Sequence, residues 1–434
     1  MLCYVTQPNW VVLEVEVDPK ANGQECIDKV CQQLGIVEED YFGLQYKGGK
    51  GENLWLNLRN RIDRQVMGMS PFRLQLRVKF FVRPHYILQE TTRNQFYLQV
   101  KQDLQSQKLW TENVQQTSII AALMAQAEFG DLQNKNIQFN NYRNLLQGWI
   151  EPTHQLLQNI ASEHEKLQGL ERSAAEYRML QVAAELQNYG MEYHEARVSS
   201  GDLIQIGVGP EGVFLCNDKL EQTEKIGYPT IQKAVHSGRI CNLHIINDKG
   251  EVAEMIFKLV SQKAANALYR SVTEMHSFFR CDTVQVAVAS QFSRDLKGTF
   301  ASIFNEKTTV GLEYVFDIRR TCRETYDHVR RVLYTDKVQT FHSSKEEDNK
   351  NAVCNGLNCV CGKDRKILQE KLDRILESVR CCVCRDAEIE TVFFPCRHVT
   401  CCNYCAAKLN FCPMCRSKIE DVQRIFLPTI QNTV

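Results

Sequence analysis

Three observations predict a multidomain α+β chain that ends in a small metal-bound module. At 434 residues the chain exceeds what one hydrophobic core usually serves. Strand-like and helix-like rhythms alternate in blocks along residues 1–280. The 19 cysteines are unevenly spread, with seven between Cys3 and Cys322 and twelve between Cys354 and Cys415. A secreted disulfide protein would not concentrate them so. Clustered thiols beside a histidine point instead to a reducing compartment and a metal. Lys+Arg and Asp+Glu balance at 52 each, which excludes a whole-chain basic field for nucleic acid.

Residues 1–84 read as a mixed α/β lobe. Val12, Glu14, Val15, Glu16 and Val17 follow a strand rhythm after Pro8, and no apolar segment of the secretory kind is visible. Cys26, Ile27, Val30, Cys31 and Leu34 mark a helix with Gly35 as its stop, and Phe72, Leu74, Leu76 and Val78 mark a strand. Two strands, a helix and further strands in this length suit a ubiquitin-like roll. Residues 85–188 have few internal breakers and read as a helical bundle. The apolar stretch Ile119 to Ala125 is too short to span a bilayer, so a protein kept on the cytosolic side is expected.

Residues 189–260 turn β-rich, punctuated by Gly190, Gly201, Gly207, Gly209 and Gly212. Gln262 to Arg280 carries Ala265, Leu268, Val272, Met275 and Phe279 at helical spacing, so an amphipathic helix closes this lobe at residue 280. Residues 281–336 form an extension, read as two helices flanking a strand around Tyr314 to Ile318. A linker is predicted over 337–364, from its polar run Ser343 to Asn351, then a short helix over 365–380. A cysteine-rich module follows over 381–416, with a tail over 417–434.

The module's pattern is Cys381-x2-Cys384, Cys396-x-His398, Cys402-x2-Cys405 and Cys412-x2-Cys415. A Cys-x2-Cys knuckle lets two thiolates meet one zinc at about 2.3 Å. Eight ligands in four pairs make two tetrahedral sites. The short gap between the second and third pairs favours interleaving, with Cys381, Cys384, Cys402 and Cys405 on one ion and Cys396, His398, Cys412 and Cys415 on the other. Four protein ligands per ion leave no place for a reactive water, which argues for structural zinc and against hydrolytic zinc. Cys382 and Cys401 fall outside the pattern and read as non-ligand thiols.

The ligand order resembles a RING finger, and the gap from His398 to Cys402 resembles the RINGs of inhibitor-of-apoptosis proteins. The resemblance implies a ubiquitin ligase that acts by positioning a charged E2, without a covalent nucleophile. It also implies an E2- and ubiquitin-binding set of Val383, Leu409, Pro413 and Arg416, with local packing as the lesser alternative for Val383 and Leu409. The tail residues Val422, Ile425 and Leu427 resemble a strand through which such RINGs form homodimers, and a strand that only covers its own RING is the alternative.

Asp40 to Leu44, Trp55-Leu56, Arg77 to Phe81, Ala125 to Asp131 and Leu186 to Gly190 resemble FERM motifs in order and spacing. That implies three lobes: a ubiquitin-like roll, a helical acyl-CoA-binding-protein-like bundle and a PTB/PH-like sandwich. FERM plus RING resembles a family of ligases for lipoprotein receptors. The likeness implies a receptor cytoplasmic tail as substrate, with Tyr269 and Thr273 as substrate-binding residues on one face of the closing helix. Tyr269 reads equally as a half-buried packing residue. The likeness further implies peripheral contact with anionic membrane at the inner face of the plasma membrane, and a third metal, iron, at Cys354, Cys359 and Cys361. Loose linker thiols are the alternative for that cluster. Other readings of the whole are a ligase for myosin regulatory light chain or another cytosolic protein, and a non-enzymatic scaffold between membrane and cytoskeleton.

Overall fold

The computed structural model describes residues 1–132, 139–217, 219–246, 250–284, 318–347, 381–384, 387 and 389–425, with the backbone alone for 336–347. It divides into two units, residues 1–340 and 341–434.

The larger unit begins with a five-stranded sheet in the order β2-β1-β5-β3-β4. Its strands are β1 (Leu2–Thr6), β2 (Val12–Glu16), β3 (Phe42–Lys47), β4 (Asn53–Trp55) and β5 (Phe72–Val78). The helix α1 (Gly23–Leu34) buries Cys26, Ile27, Val30 and Cys31 along one face. Asn22 caps it by accepting from the Glu25 amide, and Gly35 stops it at φ 65°, where a side chain would be strained.

A bundle of α3 (Glu90–Gln105), α4 (Val114–Phe129), α5 (Phe139–Leu146), α6 (His154–Glu165) and α7 (Arg172–Ala183) follows the short α2 (Ile62–Gln65). The apolar stretch at Ile119 to Ala125 lies in α4, whose Ile120 to Ala127 are buried, so it serves a protein core. No helix among the described residues is long and apolar enough to cross a membrane.

The third lobe is a seven-stranded antiparallel sheet in the order β10-β11-β12-β6-β7-β8-β9. It runs from β6 (Glu192–Arg197) through β7 (Leu203–Gly209), β8 (Gly212–Cys216), β9 (Gln222–Gly227), β10 (Ile231–Ser237) and β11 (Ile240–Ile246) to β12 (Val252–Leu259). The helix α8 (Gln262–Arg280) closes it, capped by Ser261, with Ala265, Leu268, Val272 and Met275 buried.

Aromatic rings join the three lobes. Phe80 stacks on Phe278 at 4.1 Å, Tyr41 meets both Phe96 and Phe278 edge-on, and Phe81 meets Phe96 and Tyr189. Small residues make this approach feasible. A Cβ on Gly190 would fall 2.6 Å from that of Phe81, and one on Gly43 would fall 2.8 Å from the Trp55 ring. A buried charge network lies beside the rings. Lys79 pairs with Glu274 at 2.6 Å, and Arg270 pairs with the same carboxylate at 2.8 Å.

The extension differs from its sequence reading. Residues 285–317 lie outside the described residues. Ile318 is in no strand and is buried in the larger unit's core. Next to it Arg319 reaches Glu39 at 2.6 Å, and Arg320 reaches Asp40 at 2.8 Å. One helix, α9 (Cys322–Glu347), then carries on past residue 337, where a linker was expected. The polar run that suggested a linker starts with Ser-Ser-Lys-Glu-Glu, and its Lys and Glu are good helix formers without a breaker among them. The predicted 365–380 helix lies outside the described residues.

Burial opposes ionisation of Glu274, but Arg270 and Lys79 overcome it and hold the carboxyl at about 2. A carboxylate held low in the folded state stabilises it above the usual Glu range, near 4.5, and that stability is lost as pH falls toward 2. Calorimetry of the full chain should show the larger unit's transition falling over this window. Glu274→Gln should flatten that acid dependence and cost about 3 kcal/mol at neutral pH by leaving Lys79 without its counter-charge.

Candidate metal centre

In the smaller unit, β13 (Thr391–Phe394) lies between β14 (Val399–Cys401) and β15 (Asp421–Arg424), and a short helix α10 (Asn403–Ala406) follows β14. Tight backbone turns present the cysteines. The Cys381 amide donates to Ala387 O, the Cys412 amide to Ser417 O, and the Arg416 amide back to Cys412 O. Arg397 and Arg416 take left-handed backbone at φ 59° and 58°, which turns the chain sharply at the second and fourth ligand pairs.

These turns bring the sulfur and nitrogen atoms together in two groups. Cys381, Cys384, Cys402 and Cys405 form one, and Cys396, His398, Cys412 and Cys415 form the other, with ligand atoms within 4.8 Å of one another. Cys384 Sγ and Cys402 Sγ are 3.9 Å apart, and Cys412 Sγ and His398 Nδ1 are 3.7 Å apart. A tetrahedron with sulfur at about 2.3 Å from its centre has edges of about 3.8 Å. The donor set and its spacing therefore fit zinc at both centres.

Charge points the same way. Burial works against a thiolate at Cys381, but backbone hydrogen bonds from Cys384, Cys402 and Val383 bring it down to about 6. Hydrogen bonding with Ser417 brings Cys415 to about 6. Cys405 is pushed up to about 12, by burial first and then by neighbouring Cys402, Cys381 and Cys384. In the first cluster one thiol is thus held low and another high, a charge imbalance that a shared cation would relieve.

Val383 is half exposed, and Pro413 and Arg416 are exposed. Leu409 is half-buried against the module's small core. Packing therefore accounts for part of Leu409 and leaves Val383 turned to solvent. Phe411 and Met414 are also exposed large apolar side chains beside the last knuckle, and the sequence reading passed over both. Their apolar character next to Pro413 was the available signal. The tail strand β15 pairs with β13 of its own chain, and Val422 packs on the core. Leu427 lies outside the described residues, as do Cys354, Cys359 and Cys361, where iron was expected.

Tyr269 lies where its packing alternative would put it. It is 4% exposed, and its ring lies 4.9 Å from that of His236 on β10. It is a packing residue that sets β10 against α8. Thr273 is half-buried, and its hydroxyl donates back to the Tyr269 and Arg270 carbonyls.

The comparisons agree with both units. The FERM N-terminal domain model matches residues 5–67, the FERM central domain model 82–194, and the C3HC4-type RING zinc finger model 377–422. Tyrosine-protein phosphatase non-receptor type 4 of Homo sapiens is 30% identical over 290 residues, covering 65% of this chain and 31% of its own. The protein 4.1 homolog of Drosophila melanogaster is 28% identical, covering 65% of this chain and 17% of its own. The chain thus spans about a third or less of these curated relatives. The FERM and C-terminal domain complex of Drosophila Merlin superposes with a TM-score of 0.56 at 21% identity, covering 64% of this chain and 96% of that one. The MyTH4-FERM MF2 domain of Dictyostelium discoideum myosin VII gives 0.53 at 14% identity, covering 64% of this chain and 58% of that one. The solved structures show the fold alone. The chain carries FERM N-terminal and central domains and a C3HC4 RING-type zinc finger.

Plasma emission analysis of the full chain should find about two zinc ions per molecule. Cys381→Ala should lower that number and abolish the ordered amide signals of residues 381–425 while leaving the larger unit's melting transition in place.

Proposed function

We propose that the chain is a RING-type E3 ubiquitin ligase that recruits its substrates through the FERM unit. The observation that carries this reading is the pair of closed four-ligand clusters with Val383, Pro413 and Arg416 exposed on their loops. Zinc at these centres would supply structural bracing, since all four positions are protein ligands. Val383, Leu409 and Pro413 seat the E2 through apolar contact. Arg416 offers a planar set of donors to the E2 and its ubiquitin, restricting the thioester to geometries open to a substrate lysine.

The substrate reading follows from the third lobe. β10 is an edge strand beside α8, and an extended receptor tail adds to it by main-chain pairing. Tyr269 contributes by fixing β10, and Thr273 lies one turn further along the same helix. This reading joins the chain to the FERM–RING family of the myosin regulatory light chain interacting protein, the inducible degraders of the low-density-lipoprotein receptor. Receptor ubiquitination and lysosomal degradation are the outcome. The site of action is the cytoplasmic face of the membrane. A recess of about 290 Å³ whose charged lining is Arg64 and Lys263 beside the paired Arg270 and Glu274, with Asn57, Asn60 and Asn266, supports contact with anionic lipid there.

With E1, a broad-acting E2, ubiquitin and ATP, the zinc-loaded chain should build ubiquitin chains on itself. Arg416→Ala should slow this roughly tenfold, the loss of one charge-assisted hydrogen bond, with zinc content unchanged. A zinc-replete protein that stays silent would instead be a scaffold. Sedimentation with vesicles should show binding to phosphatidylserine that weakens as salt rises, and Lys263→Glu should reduce it.

A further inference from the structure

Cys382 and Cys401 stand outside both ligand sets yet meet each other. Cys382 follows the ligand Cys381, Cys401 precedes the ligand Cys402, and those two ligands belong to the same cluster. The Cys382 amide donates to Thr400 O at 2.9 Å, which holds the first knuckle against the end of β14. The two Sγ atoms are 3.7 Å apart, in van der Waals contact. A disulfide needs about 2.05 Å, so a side-chain adjustment separates contact from bond. Cys382, Cys384 and Cys415 are the exposed cysteines among the described residues, and the last two sit in the metal clusters. Among the described residues Cys382 is therefore the exposed thiol outside the ligand sets, Cys281 and Cys322 being only partly exposed, and a buried thiol lies against it.

We propose that Cys382 and Cys401 form a reversible dithiol–disulfide site for hydroperoxides. The exposed Cys382 sulfur attacks hydrogen peroxide, breaking its O–O bond to give a sulfenic acid, with the thiol proton and the departing oxygen leaving as water. The Cys401 sulfur then attacks the Cys382 sulfur, forming the S–S bond. Its proton leaves with the sulfenic oxygen as water. Two thiols lose two electrons and two protons, and one peroxide becomes two waters. A dithiol reductant reverses the change. The cross-link ties the first knuckle to β14 immediately beside Val383, so it stiffens the loop assigned above to E2 binding. That consequence rests on the ligase reading, whereas the cross-link does not.

The test treats the zinc-loaded full chain with graded hydrogen peroxide, blocks the remaining thiols by alkylation and maps the peptides. Zinc release is followed with a chromogenic chelator in the same samples. The expected result is a Cys382–Cys401 link at peroxide doses below those that release zinc, removed by dithiothreitol and accompanied by a several-fold drop in self-ubiquitination. Cys382→Ser should retain zinc and basal activity, form no link and keep its activity at that dose. Cys401→Ser should leave Cys382 as a sulfenic acid trapped by dimedone. The proposal is overturned if both thiols remain alkylatable up to the dose at which zinc leaves, or if Cys382→Ser loses activity to peroxide as the parent does. A link that forms in a protein without transfer activity would refute the ligase reading and leave the thiol site established.

Discussion

The smaller unit is constrained above all by its lack of carbon to bury. Among its described residues the buried set is Thr391, Phe393, Ala406 and the five cysteines Cys381, Cys401, Cys402, Cys405 and Cys412. One phenyl ring cannot offset the entropy of ordering a module of this length. The knuckle turns bring thiols together that repel one another once ionised, a repulsion that zinc at each centre would offset. The loops that carry Val383, Pro413 and Arg416 take their shape from those centres. A surface read as a landing site is here a by-product of metal coordination.

The FERM unit solves the opposite problem. It has ample core and must keep three separately folded lobes in one arrangement. The aromatic junction of Tyr41, Phe80, Phe96 and Phe278 provides apolar area. The Lys79–Glu274–Arg270 network fixes register, because a buried carboxylate accepts only an arrangement that neutralises it. Glu38 repeats the device between the first two lobes, accepting from the Leu88 and Gln89 amides at 2.9 and 3.0 Å. The Lys79–Glu274–Arg270 network holds the α8 side of the third lobe and leaves the outer edge of β10 free of it.

Features encoded over a few residues were legible in the sequence. Gly35 ends α1, Gln262 to Arg280 bounds α8, and the ligand pairs declare themselves by spacing, because each depends on neighbours along the chain. Pairings between distant segments were not. Nothing local tells that Lys79 meets Glu274, that Arg319 and Arg320 reach the acidic residues near α1, or that Tyr269 turns inward to His236. The continuation of α9 past residue 337 shows a different limit. A charged run serves a linker and a solvated helix equally well, and helical continuity from Cys322 settles the matter only once the chain is folded.

Arg416 shows how a backbone conformation bears on a functional reading. Its φ of 58° is a region that costs a side-chain-bearing residue about 1 kcal/mol or more, and that glycine enters freely. The knuckle needs that turn, because the Arg416 amide closes it onto Cys412 O at 2.8 Å. For the metal centre alone, glycine would serve better at this position. An arginine held there, exposed and with its backbone already committed, spends stability that the cluster does not recover through its own packing. On the ligase reading proposed above, the guanidinium donates to partners outside the module, and a rigid platform immediately after the last ligand is where a donor would be placed to reach two bound proteins at once.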